Sequence, residues 1–193
     1  MNREEILNLF RRAGGLLEGH FRLTSGLHSS GYMQSALVLQ DPSDAAALGS
    51  ALAARVKDLR PAVVLSPALG GLIIGHEVAR ALGVRALFAE RGAPPHTALS
   101  LRRGFSLSPG ERVLVVEDVL TTGGSTRETM DVARSAGATV VGAAALVDRS
   151  GGTISFGVPY RALVEIALPT YEAARCPLCA QGIPITKPGS RPT

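Results

Sequence analysis

The chain has no tryptophan, and aromatic residues make up only 4% of its 193 positions. That removes the stacking platform on which single-stranded nucleic acids are usually held. Lysine is almost as scarce, since Lys57 and Lys187 are the only two, so cationic chemistry must come from arginine. Two cysteines, Cys176 and Cys179, are too few for a disulfide framework. Their C-x-x-C spacing supplies half of a tetrahedral zinc site, and no histidine lies near them in the sequence to complete it. A packed tail with reduced thiols is the expectation, with two subunits pooling four cysteines as the alternative. No uninterrupted apolar run reaches membrane-spanning length, and Met1 to Gly15 is charged and amphipathic rather than a signal peptide. A soluble, cytoplasmic protein with no membrane partner is expected. The formal charge of +4 is mild and dispersed; it suits anionic small molecules and does not argue for nucleic acid.

What is present concentrates in one stretch, Val113-Leu114-Val115-Val116-Glu117-Asp118-Val119-Leu120-Thr121-Thr122-Gly123-Gly124-Ser125-Thr126. Four aliphatic residues predict a strand buried on both faces, followed by two acids, a small-residue turn and a helical pattern from Arg127 to Ala136. Gly123 and Gly124 permit positive φ and close backbone approach, so successive N–H groups can point at one phosphate. Thr121, Thr122, Ser125 and Thr126 add hydroxyls, and Ser125 with Glu128 reads as a capping box at the positive end of a helix dipole. The spacing fits neither a Walker A loop nor a G-x-G-x-x-G turn. Two carboxylates beside a phosphate need another partner, and the vicinal hydroxyls of a ribose fit. Acids and glycines in a lone motif are equally an ordinary capped turn; here strand, acids, turn and helix occur in register.

This register resembles the phosphoribosyl-diphosphate (PRPP) signature of type I phosphoribosyltransferases. The resemblance implies that Glu117 and Asp118 hold the ribose hydroxyls while the turn, Val119 and Leu120 through Thr121, Thr122, Gly123, Gly124 and Ser125, holds the 5′-phosphate.

The rest of the chain fits the same frame. Asn2 to Ala13 predicts a helix stopped by Gly14-Gly15, and Leu16 to Leu39 predicts short strands around a turn. Gly19-His20-Phe21-Arg22-Leu23-Thr24-Ser25-Gly26, with Tyr32 downstream, is similar to the hood of orotate phosphoribosyltransferases, although those often carry lysine where Thr24 stands. A helix from Asp41 to Leu59 and a strand from Ala62 to Leu65 lead into Ser66-Pro67-Ala68-Leu69-Gly70-Gly71, a second small-residue turn before a helix from about Leu72 to Leu82. The resemblance puts pyrophosphate at this turn, with Gly70 where a lysine is common. After a strand from Arg85 to Glu90, Arg91 to Gly104 is long and proline-broken, which suggests a mobile lid. Val140 to Val147 is a strand ending in Asp148-Arg149-Ser150-Gly151-Gly152, where the resemblance has Arg149, with Thr121, holding orotate. Ala162 to Leu168 is a last strand at the hood or sheet edge, and 171–193 is a punctuated tail.

The expected fold is α/β: a doubly wound, mainly parallel sheet of the type I phosphoribosyltransferase kind, with a small hood subdomain, in one domain spanning 1–193. The hood takes about 14–40 plus late strands, and the lid about 91–104. The resemblance implies an orotate phosphoribosyltransferase of pyrimidine biosynthesis that joins PRPP and orotate, works with Mg²⁺ held through PRPP rather than by direct ligands, and forms a homodimer with shared sites. The family's lid lysines are missing, which leaves Arg91 and then His96 as catalytic cations beside Asp118. A phosphoribosyltransferase for another base would not need Arg149. A PRPP-sensing regulator would want a helix-turn-helix or a continuous basic face, and neither is evident.

Overall fold

The structure, a computed structural model, describes residues 1–23, 25–93 and 97–187. Helix α1 (Arg3–Arg12) begins at Asn2, whose side chain accepts from Glu5 N while the Glu5 carboxylate accepts from Asn2 N. Strands β1 (Leu16–Arg22) and β2 (His28–Met33) form an antiparallel hairpin. The following Ser35–Leu39 is a short helix, α2, where strand was expected, because Ser35, Val38 and Leu39 bury one face at helical spacing.

The main sheet follows from α3 (Pro42–Val56), β3 (Val63–Pro67), α4 (Gly71–Leu82), β4 (Arg85–Arg91), β5 (Leu99–Leu101), β6 (Arg112–Leu120), α5 (Gly124–Ser135), β7 (Thr139–Asp148) and β8 (Tyr160–Glu165). Its order is β5-β4-β3-β6-β7-β8, parallel except for β5, which runs antiparallel to β4. Alternate residues of the buried strands serve two cores. Val64, Leu114, Val116 and Leu146 join α1, α3 and α4 on one face; Val63, Leu65, Val113 and Val115 join Met130 and Ala133 of α5 on the other. The chain leaves β3 toward β4 on one side, and β6 continues toward β7 on the other. The order therefore reverses between β3 and β6, and a crevice opens past their carboxyl ends.

Two sequence-based expectations, the bounds of the lid and the lack of a histidine beside the cysteines, need correction. The lid is shorter than 91–104 because Leu99–Leu101 pairs with Ala89–Arg91, so Arg91 ends a strand instead of opening a loop. Of the two places expected for the last strand, hood or sheet edge, β8 takes the sheet edge, and the late strand that joins the hood is β9 (Thr170–Tyr171), paired with β2. The tail is packed, as expected: helix α6 (Pro177–Ala180) follows, and Thr186 bridges to Phe21 of β1. That return carries Cys176 and Cys179 to His20 and His28, so histidines do stand beside the cysteines, reached through space and not through sequence.

Candidate active site

Strand β6 runs past the two acids to Leu120, so Glu117 and Asp118 lie within the strand and the pleat sends them to opposite faces. Asp118 shares the face of Leu114 and Val116 and meets the starts of α2 and α4. Ser35 Oγ donates to its Oδ2, and a Cβ placed on Gly70 would sit 2.6 Å from its Oδ1. Glu117 goes under the turn instead. It is 5% exposed, and Ser125 Oγ donates to its Oε2 at 2.6 Å. Burial, reinforced by the neighbouring Asp118 charge, pushes its pKa up to about 8, so the group is mostly protonated at neutral pH.

The turn joins a left-handed glycine to the start of a helix. Gly123 has φ 75° and caps α5, and a Cβ there would come within 3.1 Å of the Phe156 ring. Gly124 begins the helix, whose first N–H groups have no intrahelical partner. The capping box does not form. Ser125 is engaged by Glu117, and Glu128 is taken by the Arg91 guanidinium and by Leu99 N. A glycine therefore caps the helix, and tertiary pairing has displaced the local pattern.

A cleft of about 430 Å³ joins this edge to the hood. Asp118, Val119, Thr121, Thr122 and Arg149 line one side; Leu23, Ser25, Tyr32, Met33, Gln34 and Ser35 line the other. Arg149 follows β7, and its N–H donates to Leu120 O at 2.8 Å, which ties its position to the end of β6. Its Nε is buried without a hydrogen-bond partner among the described residues. Burial lowers the guanidinium's pKa, with Tyr32 opposing, and burial raises the Tyr32 phenol against the pull of Arg149. An arginine is charged throughout the accessible pH range, so this is a desolvated cation with donor capacity to spare.

Of the residues singled out from sequence, Asp118, Val119, Thr121, Thr122 and Arg149 meet in this cleft, and Gly123, Gly124 and Ser125 build the adjoining turn. Leu120 is 1% exposed, so only its backbone is available. Glu117 and Arg91 are not among the lining residues. Arg91 grips Glu128 of α5 with both nitrogens, at 2.9 and 2.6 Å, and donates to Thr97 O at 2.5 Å. Arg103 pairs with Glu90 at 2.7 Å. His96 and Thr24 lie outside the described residues. Sequence reasoning missed Ser35 and Gln34 altogether, as they belong to no motif; Tyr32 carried a signal only as part of the hood.

Comparison with known proteins gives a consistent answer. The phosphoribosyl transferase domain family matches residues 38–155. The orotate phosphoribosyltransferase of Pelotomaculum thermopropionicum is 55% identical over 191 residues, covering 99% of both chains. That of Desulforamulus reducens is 52% identical over 99% of this chain and 98% of its own. Among solved structures, orotate phosphoribosyltransferase from Aeropyrum pernix superposes with a TM-score of 0.73 at 29% identity, over 83% of this chain and 93% of that one. The Mycobacterium tuberculosis H37Rv orotate phosphoribosyltransferase in complex with 5-phospho-α-D-ribosyl 1-diphosphate gives 0.64 at 26% identity, over 86% and 96%.

Proposed function

The chain belongs to the orotate phosphoribosyltransferase family, and from that premise we propose how its own residues divide the work. The reaction joins PRPP and orotate to give orotidine 5′-monophosphate and pyrophosphate in de novo pyrimidine biosynthesis. The bond from the anomeric carbon to pyrophosphate breaks, that to the orotate nitrogen forms, and positive charge gathers on the ribose while negative charge gathers on the leaving group.

The 5′-phosphate goes to the Thr121–Ser125 turn, where helix N–H groups and the threonine hydroxyls supply donors without a lysine. Asp118 faces the ribose hydroxyls, oriented by Ser35. Glu117, mostly protonated beneath the turn, acts by holding Ser125, a positioning role in place of the direct ribose contact expected from the motif. Arg149 takes the orotate carboxylate, and Tyr32 and Thr121 flank it. The observation that carries this assignment is the buried, unpartnered Nε of Arg149 in the cleft wall: a carboxylate satisfies it as a two-pronged, charge-assisted pair.

Mg²⁺ binds oxygen through one or two carboxylates plus substrate phosphates and keeps several waters. The cleft lining offers one carboxylate, Asp118, which fits an ion held mainly through PRPP and not by a cage of side chains. When bound, the ion neutralises charge on the departing pyrophosphate. Among the described residues the lining holds one arginine and no lysine, so a further cation comes from outside that lining. A homodimer in which one subunit's Arg91 reaches the other's site would supply it, in a cytoplasmic enzyme.

The test is an absorbance assay of orotate consumption with PRPP and Mg²⁺. Arg149→Lys keeps the charge and loses the fork, so kcat/KM for orotate should fall about 10- to 100-fold, as for the loss of a buried charge-assisted bond. The KM for PRPP should stay near that of the unaltered protein. An unchanged KM for orotate would assign the carboxylate to another residue.

A further inference from the structure

A second cluster of reactive side chains lies in the hood, away from the residues that line the cleft. His20 ends its ring at Nε2 3.0 Å from Nδ1 of His28. Cys176 Sγ is 3.5 Å from that Nε2, and Cys179 Sγ is 3.7 Å from it and 3.3 Å from His28 Nδ1. All four atoms lie within 4.8 Å of one another. A single tetrahedral zinc ion, with bonds of about 2.0–2.1 Å to nitrogen and about 2.3 Å to sulfur, sets donor separations of about 3.3–3.8 Å. The three nitrogen–sulfur spacings of 3.3–3.7 Å match the edges of such a tetrahedron, the 3.0 Å between the two nitrogens is slightly shorter, and a set of atoms no more than 4.8 Å apart leaves no room for a multinuclear cluster.

The surrounding bonds favour an ion over mutual hydrogen bonding. His20 Nδ1 is 2.7 Å from Ile183 O, and a carbonyl only accepts, so that nitrogen carries the proton and Nε2 turns a bare lone pair inward. Fixing the imidazole tautomer through a backbone carbonyl is the usual arrangement behind a metal-bound histidine. One proton, from His28 or a thiol, would satisfy that lone pair, yet three groups converge on it. A divalent cation with two thiolates and two neutral imidazoles satisfies all four at zero net charge. That neutrality matters where His20, His28 and Cys176 are 2%, 7% and 4% exposed. Cys179 stays exposed and gives an ion a way in. The C-x-x-C pair also has the shape of a metal knuckle, with Cys176 capping α6 and Cys179 inside it.

We propose that His20 Nε2, His28 Nδ1, Cys176 Sγ and Cys179 Sγ form a structural zinc site that fastens the 172–187 tail to the hood hairpin. Four protein ligands close the coordination shell, so the ion binds no substrate and acts on stability alone.

Protein purified without a polyhistidine tag or chelator should contain about one zinc per chain by elemental analysis. Replacing the ion with Co²⁺ should give intense tetrahedral bands in the visible and a thiolate-to-cobalt band in the near ultraviolet. Cys176→Ser and His20→Asn should each abolish stoichiometric zinc. Metal-stripped protein should melt at a lower temperature and be cut faster by trypsin after Arg175, with both restored by added zinc. Wild-type protein that holds no zinc and develops no thiolate–cobalt band on titration, or that retains zinc in the Cys176→Ser variant, would overturn the proposal. So would a Cys176–Cys179 disulfide in protein purified under reducing conditions. The wild-type measurements decide the matter even if both variants fail to fold.

Discussion

The cleft and the hood cluster are both knots of polar side chains, and they differ in what is left unpaired. In the cleft, Arg149 Nε has no partner among the described residues and the turn's helix N–H groups point outward, so its donors await something from solution. In the hood, four donor atoms point at one another, and His20 is anchored from behind by Ile183 O. The first pattern belongs to a site that binds and releases; the second belongs to a fastening. They differ in origin as well. The acid pair and glycine turn are contiguous, residues 117–125, whereas His20 and Cys176 are 156 positions apart.

This contrast predicts that cleft variants change catalysis and leave melting nearly untouched, while hood variants do the reverse. The largest effect that would sharpen it comes from Gly70→Ala. The new methyl would overlap the Asp118 carboxylate at 2.6 Å and drive it off Ser35, so kcat should fall about 100-fold by misplacement alone. The Tm should shift little, because Gly70 has φ −56° and its backbone tolerates alanine. A Gly70→Ala protein with full activity would show that Asp118 need not stay where Ser35 holds it.

Arg91→Ala tests the boundary of the cleft. If Arg91 serves a neighbouring site, kcat should fall about 10-fold or more while orotate binding holds, as expected when a cation meets charge that develops in the transition state. A heterodimer of Arg91→Ala with Arg149→Ala subunits should recover one working site. If Arg91 is only the exposed partner of Glu128, its loss costs no more than a surface ion pair, and kinetics stay normal.

The smallest effect is a pH dependence of stability. The carboxyl of Glu117 titrates at about 8 when folded and near its ordinary value of 4.5 when unfolded. Between these values the unfolded chain has shed a proton that the folded chain keeps, so this group's contribution to stability declines as pH rises and levels off above about 8. Glu117→Gln keeps an acceptor for Ser125 and removes the titration. Its Tm should exceed that of the unaltered protein by a few degrees at pH 8.5, and the gap should close toward pH 4. A gap independent of pH would mean that the carboxyl is not desolvated. It would also blur the division between regions, since a residue beneath the cleft's turn would then bear on stability by some other route.

The fold and half of the cleft were legible because their signals are local. Strand β6, the glycine turn and α5 follow one another, and the aliphatic runs at Val63–Leu65 and Val113–Val116 leave little choice but buried parallel strands. What was not legible depends on elements meeting in space. Nothing near Ser35 says that it will face Asp118, and a histidine on each strand of a hairpin says nothing of a cysteine pair that returns far downstream. The capping box failed for the same reason: Glu128 had a local partner in Ser125 and a better one in Arg91, brought by β4. The lid was overestimated because Leu99–Leu101 is too short a segment to declare itself a strand without its partner.

The order in which the hood's parts leave the ribosome follows from their positions along the chain. Domains assemble as the polypeptide emerges, amino-terminal parts first. When β8 has emerged, every strand of the main sheet is available, and the cleft edge of β6 and β7 has all its strands. At that moment β1 and β2 form a two-stranded hairpin that packs on the main core through Met33 and Leu16 and still lacks its third strand. Its third strand, Thr170–Tyr171, and the segment bridging Thr186 to Phe21 are made afterwards. The hood hairpin is thus completed by segments made after the last strand of the main sheet.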